Sequence, residues 1–399
     1  MKKSLALLLL ASMLAFALVS CNQGTGAPAS DKPTLKIGFI GPLTGDAAAY
    51  GRKMSQAASL AIEERNAATD AKFTVTLIKE DSQGKPELAV TAIDKLISTD
   101  KINGFIGEVF SSNSLAIEPK IDAAKITMIS PSSTSPDLIG KTKFFFRTVA
   151  DDATQSPILA LYVANELKAK TVAILFTKND YSQGLAQSFT KAFEAAGGKV
   201  VASESGVAGD KDFKTQLTKI KAAKPDVLFL PDYVAETAQI LEQAAGLGIK
   251  AKVVSSDGFS NPDILTTAGK YAEGVIFTAA PDAKGDKTTT FLAAYKAKFG
   301  EDADDFSKNA YDGTNILIDA FYAAWATATD DQKKAGTIDL EAIRASVAAT
   351  KAFAGVSGEV TFAADGNLIK NWAVKTVSEG KFKQTAVYKV DNNALVKVQ

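Results

Sequence analysis

The sequence contains no histidine and a single cysteine, and these two absences exclude most enzyme chemistry and most metal sites. Without histidine there is no His-containing catalytic triad, no His general base and no His metal ligand. Because Cys21 is the only cysteine, an internal disulfide, a Cys-based zinc site and thiolate catalysis in the folded body are excluded as well. The glycine motifs of nucleotide-binding loops and of nucleophile elbows are also absent. The sequence therefore favours a binding function over catalysis.

The chain has no excess of charge of either sign, since Lys and Arg together number 45 and Asp and Glu together number 45. A balanced chain has no general electrostatic attraction for nucleic acid, so no nucleic-acid partner is expected. Its 399 residues, 46% of them apolar, are enough to form about two domains with ordinary cores.

The N-terminus has the pattern of an exported lipoprotein. Lys2 and Lys3 precede an uncharged segment rich in Leu and Ala, residues 4–19, which is shorter than the roughly 20 residues of a membrane span. It ends in Leu-Val-Ser-Cys at Cys21, which resembles the lipobox of bacterial lipoproteins, where cleavage precedes a cysteine whose sulfur carries a diacylglycerol. We predict a signal peptide at 1–20, a lipid anchor on Cys21 and a flexible tether at 21–33. A plain secretory signal is the alternative, and either places the protein outside the cytoplasm.

From residue 34 onward, short apolar strands alternate with amphipathic helices. In the first half, strands are predicted at 35–40, 73–78, 103–106, 126–129 and 144–149, and helices at 54–66, 86–98 and 115–124. In the second half, strands are predicted at 171–176, 199–202, 227–230, 252–256, 274–279, 359–362, 371–377 and 382–390, and helices at 156–167, 184–196, 213–223, 235–245, 289–299, 309–328 and 340–349. Such alternation is typical of doubly wound α/β domains with parallel sheets, and it predicts two lobes of this class.

Two clusters of hydroxyl residues follow two of the predicted strands, at 107–114 and at 129–136. Hydroxyls and free backbone N–H groups near a helix N-terminus suit a small anion such as a carboxylate. Two such loops from neighbouring parallel strands would meet in one crevice. The alternative is that these Ser and Thr residues only cap helices and shape turns.

Short motifs along the chain share their order and spacing with those of a known family. They are GPLTG at 41–45 with YG at 50–51, ISP at 129–131 with Thr134, NDYSQG at 179–184, KDF at 211–213, PD at 225–226, AEG at 272–274 and NAYDG at 309–313. From residue 35 to residue 388 the chain resembles the periplasmic leucine/isoleucine/valine-binding proteins, the solute receptors of ABC-type uptake systems. The resemblance implies a type I periplasmic binding fold, in which two lobes joined by a multi-strand hinge close on the ligand. It implies an N-terminal lobe at 34–150 plus 281–356 and a C-terminal lobe at 151–280 plus 357–399.

The resemblance also implies a site for a free L-α-amino acid between the lobes. The α-carboxylate is expected on Ser111, Ser132 and Thr134, and the ammonium on Tyr181 and Asp257. Physically, neutral donors for one charge and a carboxylate for the other complement a zwitterion. Taken alone, Asp257 before a glycine would suggest a turn residue, but its occurrence together with Tyr181 and the two hydroxyl loops favours the ligand role.

Four aromatic residues occupy family positions near the side chain of the ligand: Tyr50, Phe110, Tyr233 and Phe306. Aromatic walls suit an aliphatic or aromatic side chain better than a charged one, and ordinary packing of large aromatics is the alternative. Some relatives pair two cysteines at the positions of Ser82 and Phe110. This chain departs from that pattern, which leaves the preference for leucine open.

The expected function is therefore that of a receptor rather than an enzyme, with no cofactor and no metal. Its expected partners are a small amino acid and an ABC permease in the membrane, and a monomer is expected. An amide or urea receptor is the alternative within binding proteins, because such a ligand would not need both Tyr181 and Asp257. A surface lipoprotein hydrolase is disfavoured by the absence of histidine and of a nucleophile motif.

If Cys21 carries the lipid, Cys21→Ser should release the protein from membranes or leave it unprocessed, because the acylated sulfur is replaced. Fractionation of cells and mass spectrometry of the mature N-terminus measure both effects. A fragment 34–399 should still bind its ligand, which separates anchoring from recognition. Wild-type protein without lipid mass at its N-terminus would contradict the lipobox interpretation.

Overall fold

The structure, a computed structural model, describes residues 32–392 and 394–399. The predicted signal peptide at 1–20, the lipid on Cys21 and most of the tether at 21–33 lie outside the described residues. In the part of the chain that is described, no helix is both long enough and apolar enough to cross a membrane.

The first lobe is built on a five-stranded parallel sheet with the strand order β2-β1-β3-β4-β5. Its elements are β1 (Thr34–Gly41), α1 (Ala48–Asn66), β2 (Thr74–Asp81), α2 (Pro86–Lys95), β3 (Gly104–Ile106), α3 (Ser111–Ala124), β4 (Met128–Ser130) and β5 (Phe145–Arg147). Helices cover both faces of the sheet, and β3 and β4 are buried at every position. This explains why they read as continuous apolar runs rather than as alternating patterns.

The second lobe is built on an eight-stranded sheet with the order β15-β14-β13-β10-β9-β8-β6-β7. Its first part comprises α4 (Asp152–Asn165), β6 (Thr171–Thr177), α5 (Asp180–Ala195), β7 (Lys199–Gly206), α6 (Lys214–Ala223), β8 (Val227–Leu230), α7 (Val234–Gly246), β9 (Lys252–Ser255), α8 (Asp263–Thr267) and β10 (Ile276–Ala279). These strands pair in parallel, as predicted. The sheet is nevertheless mixed, because the three C-terminal strands described below join it as antiparallel partners.

The remainder of the chain returns to the first lobe and then to the second. It comprises α9 (Asp286–Phe299), α10 (Asp305–Thr327), α11 (Asp330–Ala335), α12 (Leu340–Ala348), β11 (Phe353–Gly355), β12 (Gly358–Val360), β13 (Trp372–Ser378), β14 (Lys381–Asp391) and β15 (Ala394–Lys397). Helix α10 packs against α1 and α12, and β13 pairs with β10. The chain thus passes between the lobes after β5, after β10 and before β13. The exact residue limits of the two lobes, 34–150 plus 281–356 and 151–280 plus 357–399, remain a prediction.

A buried arginine links two of these passages. Arg147 at the end of β5 has no exposed surface. Its guanidinium donates to the backbone carbonyl of Ser135 at 2.9 Å and to the side-chain oxygen of Asn367 at 2.8 Å. It also lies 3.3 Å from Asp151, which in turn accepts from the Asn367 amide at 2.7 Å. A charge-assisted network of this kind fixes the geometry at which the chain leaves the first lobe.

Several helices begin about four residues earlier than predicted, which corrects the sequence interpretation at one important place. Helix α3 begins at Ser111 rather than at 115, so the hydroxyl cluster at 111–114 forms its first turn and not a loop. Helix α5 begins after the cap Asn179, and α10 begins after Asp304, which forms a capping box with Ser307. These first turns carry polar and capping residues, and a search for apolar periodicity starts only after them.

Candidate functional site

The carboxyl ends of strands from both sheets enclose a small cavity between the lobes. Its lining residues are Tyr50, Val109, Phe110, Ser132, Tyr181, Tyr233, Asp257, Gly258 and Phe306. All of the predicted site residues except Ser111 and Thr134 are therefore brought together here. The cavity measures about 10 Å³, which is about the space that one water molecule requires. An amino acid needs more room, so the lobes or the lining rings must separate before it enters.

Ser111 and Thr134 lie behind the cavity wall rather than in it. The Ser111 hydroxyl accepts the backbone N–H of Ser135 at 3.2 Å, and this bond joins the two predicted hydroxyl loops. The Thr134 hydroxyl donates to the carboxylate of Asp152 at 2.9 Å. In the closed arrangement, both side chains support groups that surround the cavity.

Asp257 follows strand β9 and is held by hydrogen bonds to its carboxylate. The Tyr181 hydroxyl donates to its Oδ1 at 2.7 Å, and the Gln155 side-chain amide donates to the same oxygen at 3.0 Å. The Asp257 backbone N–H returns a bond to Gln155 Oε1 at 2.9 Å. The Tyr181 hydroxyl also accepts the backbone N–H of Gly258 at 2.8 Å. The two residues predicted to hold an ammonium are thus adjacent and oriented by the second lobe.

A second carboxylate, which the sequence interpretation missed, lies beside the first. Asp152 is in the first turn of α4, where the chain enters the second lobe, and its Oδ1 accepts a hydrogen bond from the same Gln155 nitrogen at 2.9 Å. The exposed fractions of Asp152 and Asp257 are 1% and 2%. The only signal in the sequence was a pair of aspartates at the first passage between lobes, which equally well marks a helix start.

Burial raises the pKa values of both carboxyl groups. The pKa of Asp257 is raised to about 6, chiefly by burial, and the hydrogen bonds from Tyr181 and Gln155 oppose this rise. The pKa of Asp152 is raised well above its ordinary value, first by burial and then by the charge of Asp257. Among the described residues neither forms an ion pair, because Arg147 pairs with Asp151 instead. The site therefore holds two adjacent buried carboxyl groups whose charged forms a bound cation would stabilise.

The opposite side of the cavity offers neutral donors. Helix α3 begins there, and its N-cap residue Phe110 makes no side-chain capping bond. The first backbone N–H groups of a helix lack intrahelical partners and attract an anion. Ser132, across the cavity wall, donates its hydroxyl to the Val109 carbonyl at 2.7 Å. The hydroxyls of Ser130 and Ser133 donate to the Glu108 carbonyl at 2.7 and 3.0 Å, so these two fasten the loops together.

A buried glutamate connects the ends of β2 and β3 behind Phe110. The Glu108 carboxylate accepts from the Ser82 hydroxyl at 2.5 Å, from the Phe110 backbone N–H at 2.7 Å and from the Asn113 amide at 3.1 Å. Burial raises the pKa of Glu108 to about 7, and these hydrogen bonds oppose the rise. This network links Ser82 to the backbone of Phe110 through Glu108.

Five aromatic residues line the cavity, and one of them, Tyr181, reaches the Asp257 carboxylate with its hydroxyl. The ring centroids of Phe110 and Tyr233 are 4.2 Å apart, and those of Tyr50 are 5.9 Å from Phe110 and 5.8 Å from Tyr233. Tyr181 stacks on Tyr233 at 4.9 Å, and Phe306 lies 6.2 Å from Tyr50. The cavity thus has one charged end and one aromatic end.

Hydrogen bonds across the cleft hold the lobes together. Tyr50 of the first lobe donates to the Gly258 carbonyl at 2.6 Å and accepts the backbone N–H of Val234 at 3.2 Å. The backbone N–H of Asp180 donates to the Ser112 hydroxyl at 3.0 Å. These contacts define a closed arrangement in which the lining residues are withdrawn from solvent.

Comparisons with known proteins agree with this architecture. Residues 34–381 match the family described as "Periplasmic binding protein". The Leu/Ile/Val-binding protein homolog 3 of Brucella melitensis is 32% identical over 286 residues, which cover 71% of this chain and 77% of that protein. The crystal structure of a leucine binding protein, LivK, from Thermotoga maritima is 30% identical with a TM-score of 0.80, covering 88% of this chain and 98% of that one. LivJ from Streptococcus pneumoniae, solved in complex with isoleucine, is 30% identical with a TM-score of 0.79. The match covers 92% of this chain and 100% of that one.

The buried carboxyl pair predicts a pH-dependent difference in stability between the wild type and Asp257→Asn. The pKa of Asp257 in the folded state, about 6, exceeds its ordinary value of 3.8, so the folded state binds the proton more tightly than the unfolded state does. As the pH falls from about 7 to about 3, the wild type should gain about 3 kcal/mol of unfolding free energy relative to the variant, and the gain should level off below that pH.

Urea unfolding of both proteins across this pH range measures the difference. Ser188→Ala on α5 removes no titratable group and should run parallel to the wild type at every pH. If the difference in unfolding free energy between the wild type and Asp257→Asn does not vary with pH, Asp257 titrates normally in the folded protein.

Proposed function

Because the chain belongs to the periplasmic binding protein family, we propose that it is a receptor outside the cytoplasm that binds a free L-α-amino acid with an apolar side chain and delivers it to an ABC transporter. It is a solute-binding protein and not an enzyme. Branched-chain amino acids are the favoured ligands, since the relatives named above are described as leucine- or Leu/Ile/Val-binding proteins or hold isoleucine. Aromatic amino acids form the second group that the ring-lined end would accept.

The observation that carries the proposal is the pair of buried carboxylates without an ion-pair partner among the described residues. Asp152 and Asp257 share the amide of Gln155, and the Tyr181 hydroxyl lies beside them. An α-ammonium is a cation that donates three hydrogen bonds, and it would supply the missing charge. The N-terminus of α3 and Ser132 would receive the α-carboxylate, and the rings would contact the side chain.

Binding in this scheme is coupled to closure of the lobes. The carboxylates and Tyr181 belong to the second lobe, whereas Ser132 and the N-terminus of α3 belong to the first. A zwitterion therefore makes its full set of contacts only when both lobes surround it, and it favours the closed state by that difference in contacts. We propose in addition that lipid on Cys21 holds the protein, as a monomer, near its membrane permease.

A receptor for urea or short amides is the competing proposal within binding proteins. Such a ligand carries no charge and would leave both Asp152 and Asp257 without a counter-charge in a dry cleft. The carboxyl pair therefore favours the amino acid.

Leucine, isoleucine, valine and phenylalanine should raise the melting temperature, whereas their N-acetyl and amide forms should not, because each modification removes one charge of the zwitterion. At about 100 times the dissociation constant, the ligand should add about 2.7 kcal/mol of stability. A thermal-shift panel measures this. A response to urea or short amides with none to any amino acid would refute the proposed ligand class.

Asp257→Asn should weaken amino-acid binding by about 2–5 kcal/mol, the usual cost of removing one member of a desolvated charge pair. Titration calorimetry measures the affinity, and Ser188→Ala, outside the cavity, should bind like the wild type. At neutral pH the unliganded variant should be no less stable than the wild type, because it no longer buries the Asp257 charge. If Asp257→Asn binds normally, or if it only lowers the stability of the unliganded protein, then Asp257 is a turn residue and does not bind the ligand.

A further inference from the structure

A second and much larger space lies at the mouth of the cleft, directly outside the aromatic end of the cavity. This outer groove measures about 710 Å³ and is lined by both lobes. Ligand sites for small molecules usually occupy about 300–1,000 Å³, so the outer groove has an appropriate size. Its charged and amide side chains are Asp46, Gln83, Lys85 and Asn113 from the first lobe, and Lys178, Asn179, Asp180 and Glu236 from the second.

Three aromatic rings separate the outer groove from the inner cavity. Tyr50, Phe110 and Tyr233 line both spaces, and each of the three rings contacts the other two. They therefore form a common wall, one ring thick. Any side chain of an inner ligand that extends beyond this wall enters the outer groove.

The three rings differ in how firmly they are held. The Tyr50 hydroxyl makes two hydrogen bonds to the backbone of the second lobe. Phe110 has no polar group on its ring, and within the described part of the chain the Tyr233 hydroxyl makes no hydrogen bond. Phe110 and Tyr233 are thus positioned by packing alone, at a centroid distance of 4.2 Å. Separating Phe110 from Tyr233 breaks no hydrogen bond. A ligand can therefore open the wall most easily between these two rings.

The polar lining of the outer groove indicates which side chains would be accepted there. Lys85 and Lys178 offer positive charge, and Asp180 and Glu236 offer negative charge, whereas the third acidic residue, Asp46, is already paired with Lys211 at 2.7 Å. A balanced set of donors and acceptors suits a neutral group that both donates and accepts hydrogen bonds, such as an amide. A ligand that reaches from the inner cavity would therefore have an α-amino-acid head, an apolar middle between the rings and an amide end.

We propose that the outer groove is an extension subsite for L-α-amino acids whose long side chains pass between Phe110 and Tyr233 and end in a neutral amide. The inference rests on the proposed function, because the head of such a ligand uses the inner amino-acid site. It widens the ligand class from branched-chain amino acids to amino acids acylated at the distal end of the side chain.

Titration calorimetry of the full chain with Nε-acetyl-L-lysine and with L-leucine tests the subsite. The wild type should bind both ligands. Ala235→Phe fills the outer groove without lining the inner cavity, and it should weaken binding of Nε-acetyl-L-lysine about tenfold, the factor expected from losing the burial of about two methylene groups. Leucine binding by this variant should change little.

Ala208→Phe fills the same groove from an exposed loop and should act in the same way, which covers the possibility that Ala235→Phe folds poorly. Ala222→Phe is the matched control, because Ala222 is exposed on α6 and lines neither space. Leucine binding without acetyl-lysine binding by the wild type would overturn the subsite and leave the proposed function standing. An equal loss of both ligands in the groove variants would overturn it as well, and failure of the wild type to bind any amino acid would overturn both proposals.

Discussion

The organisation of the cleft depends on two carboxyl groups that are buried side by side and that pair with no cation among the described residues. Asp152 and Asp257 are far apart in the sequence, and both accept a hydrogen bond from the same amide nitrogen of Gln155. Burying a carboxylate costs free energy that hydrogen bonds from Gln155, Tyr181 and Thr134 offset only in part. Because Asp152 begins α4 directly after the chain leaves the first lobe, this uncompensated charge lies next to the hinge. A cation bound there would reduce the free-energy cost of burying the carboxylates. Because the site is next to the hinge, this would affect the relative position of the lobes.

Recognition of the ligand and closure of the lobes use different parts of the cleft. The charged end is formed by side chains, whereas the bonds that Tyr50 makes across the cleft are to backbone groups of Gly258 and Val234. Backbone groups keep their place whatever the ligand's side chain is. In the proposed receptor, closure would therefore proceed in the same way for several ligands, and the aromatic rings would select among them by size and shape.

Apolar strands gave the alternation of the α/β lobes, and the resemblance to a known family implied Tyr181, Asp257 and the four aromatic residues. Asp152 was missed because its function arises from a partner about one hundred positions away, and a pair of aspartates before a helix is also an ordinary cap. The sequence predicts a loop at 111–114, where the structure has a helix, because a polar first turn hides where a helix begins. The mixed second sheet was missed because local patterns do not encode strand direction.

The wall behind Phe110 is fastened by Glu108 through hydrogen bonds to Ser82, Asn113 and a backbone N–H rather than by a covalent bond between sulfurs. With Cys21 as the only cysteine, no step in forming this wall involves thiol oxidation. The folded body of the protein therefore needs neither an oxidase nor a disulfide isomerase to mature, and reductants in its surroundings cannot open it. A receptor built in this way keeps its shape across environments of very different redox potential.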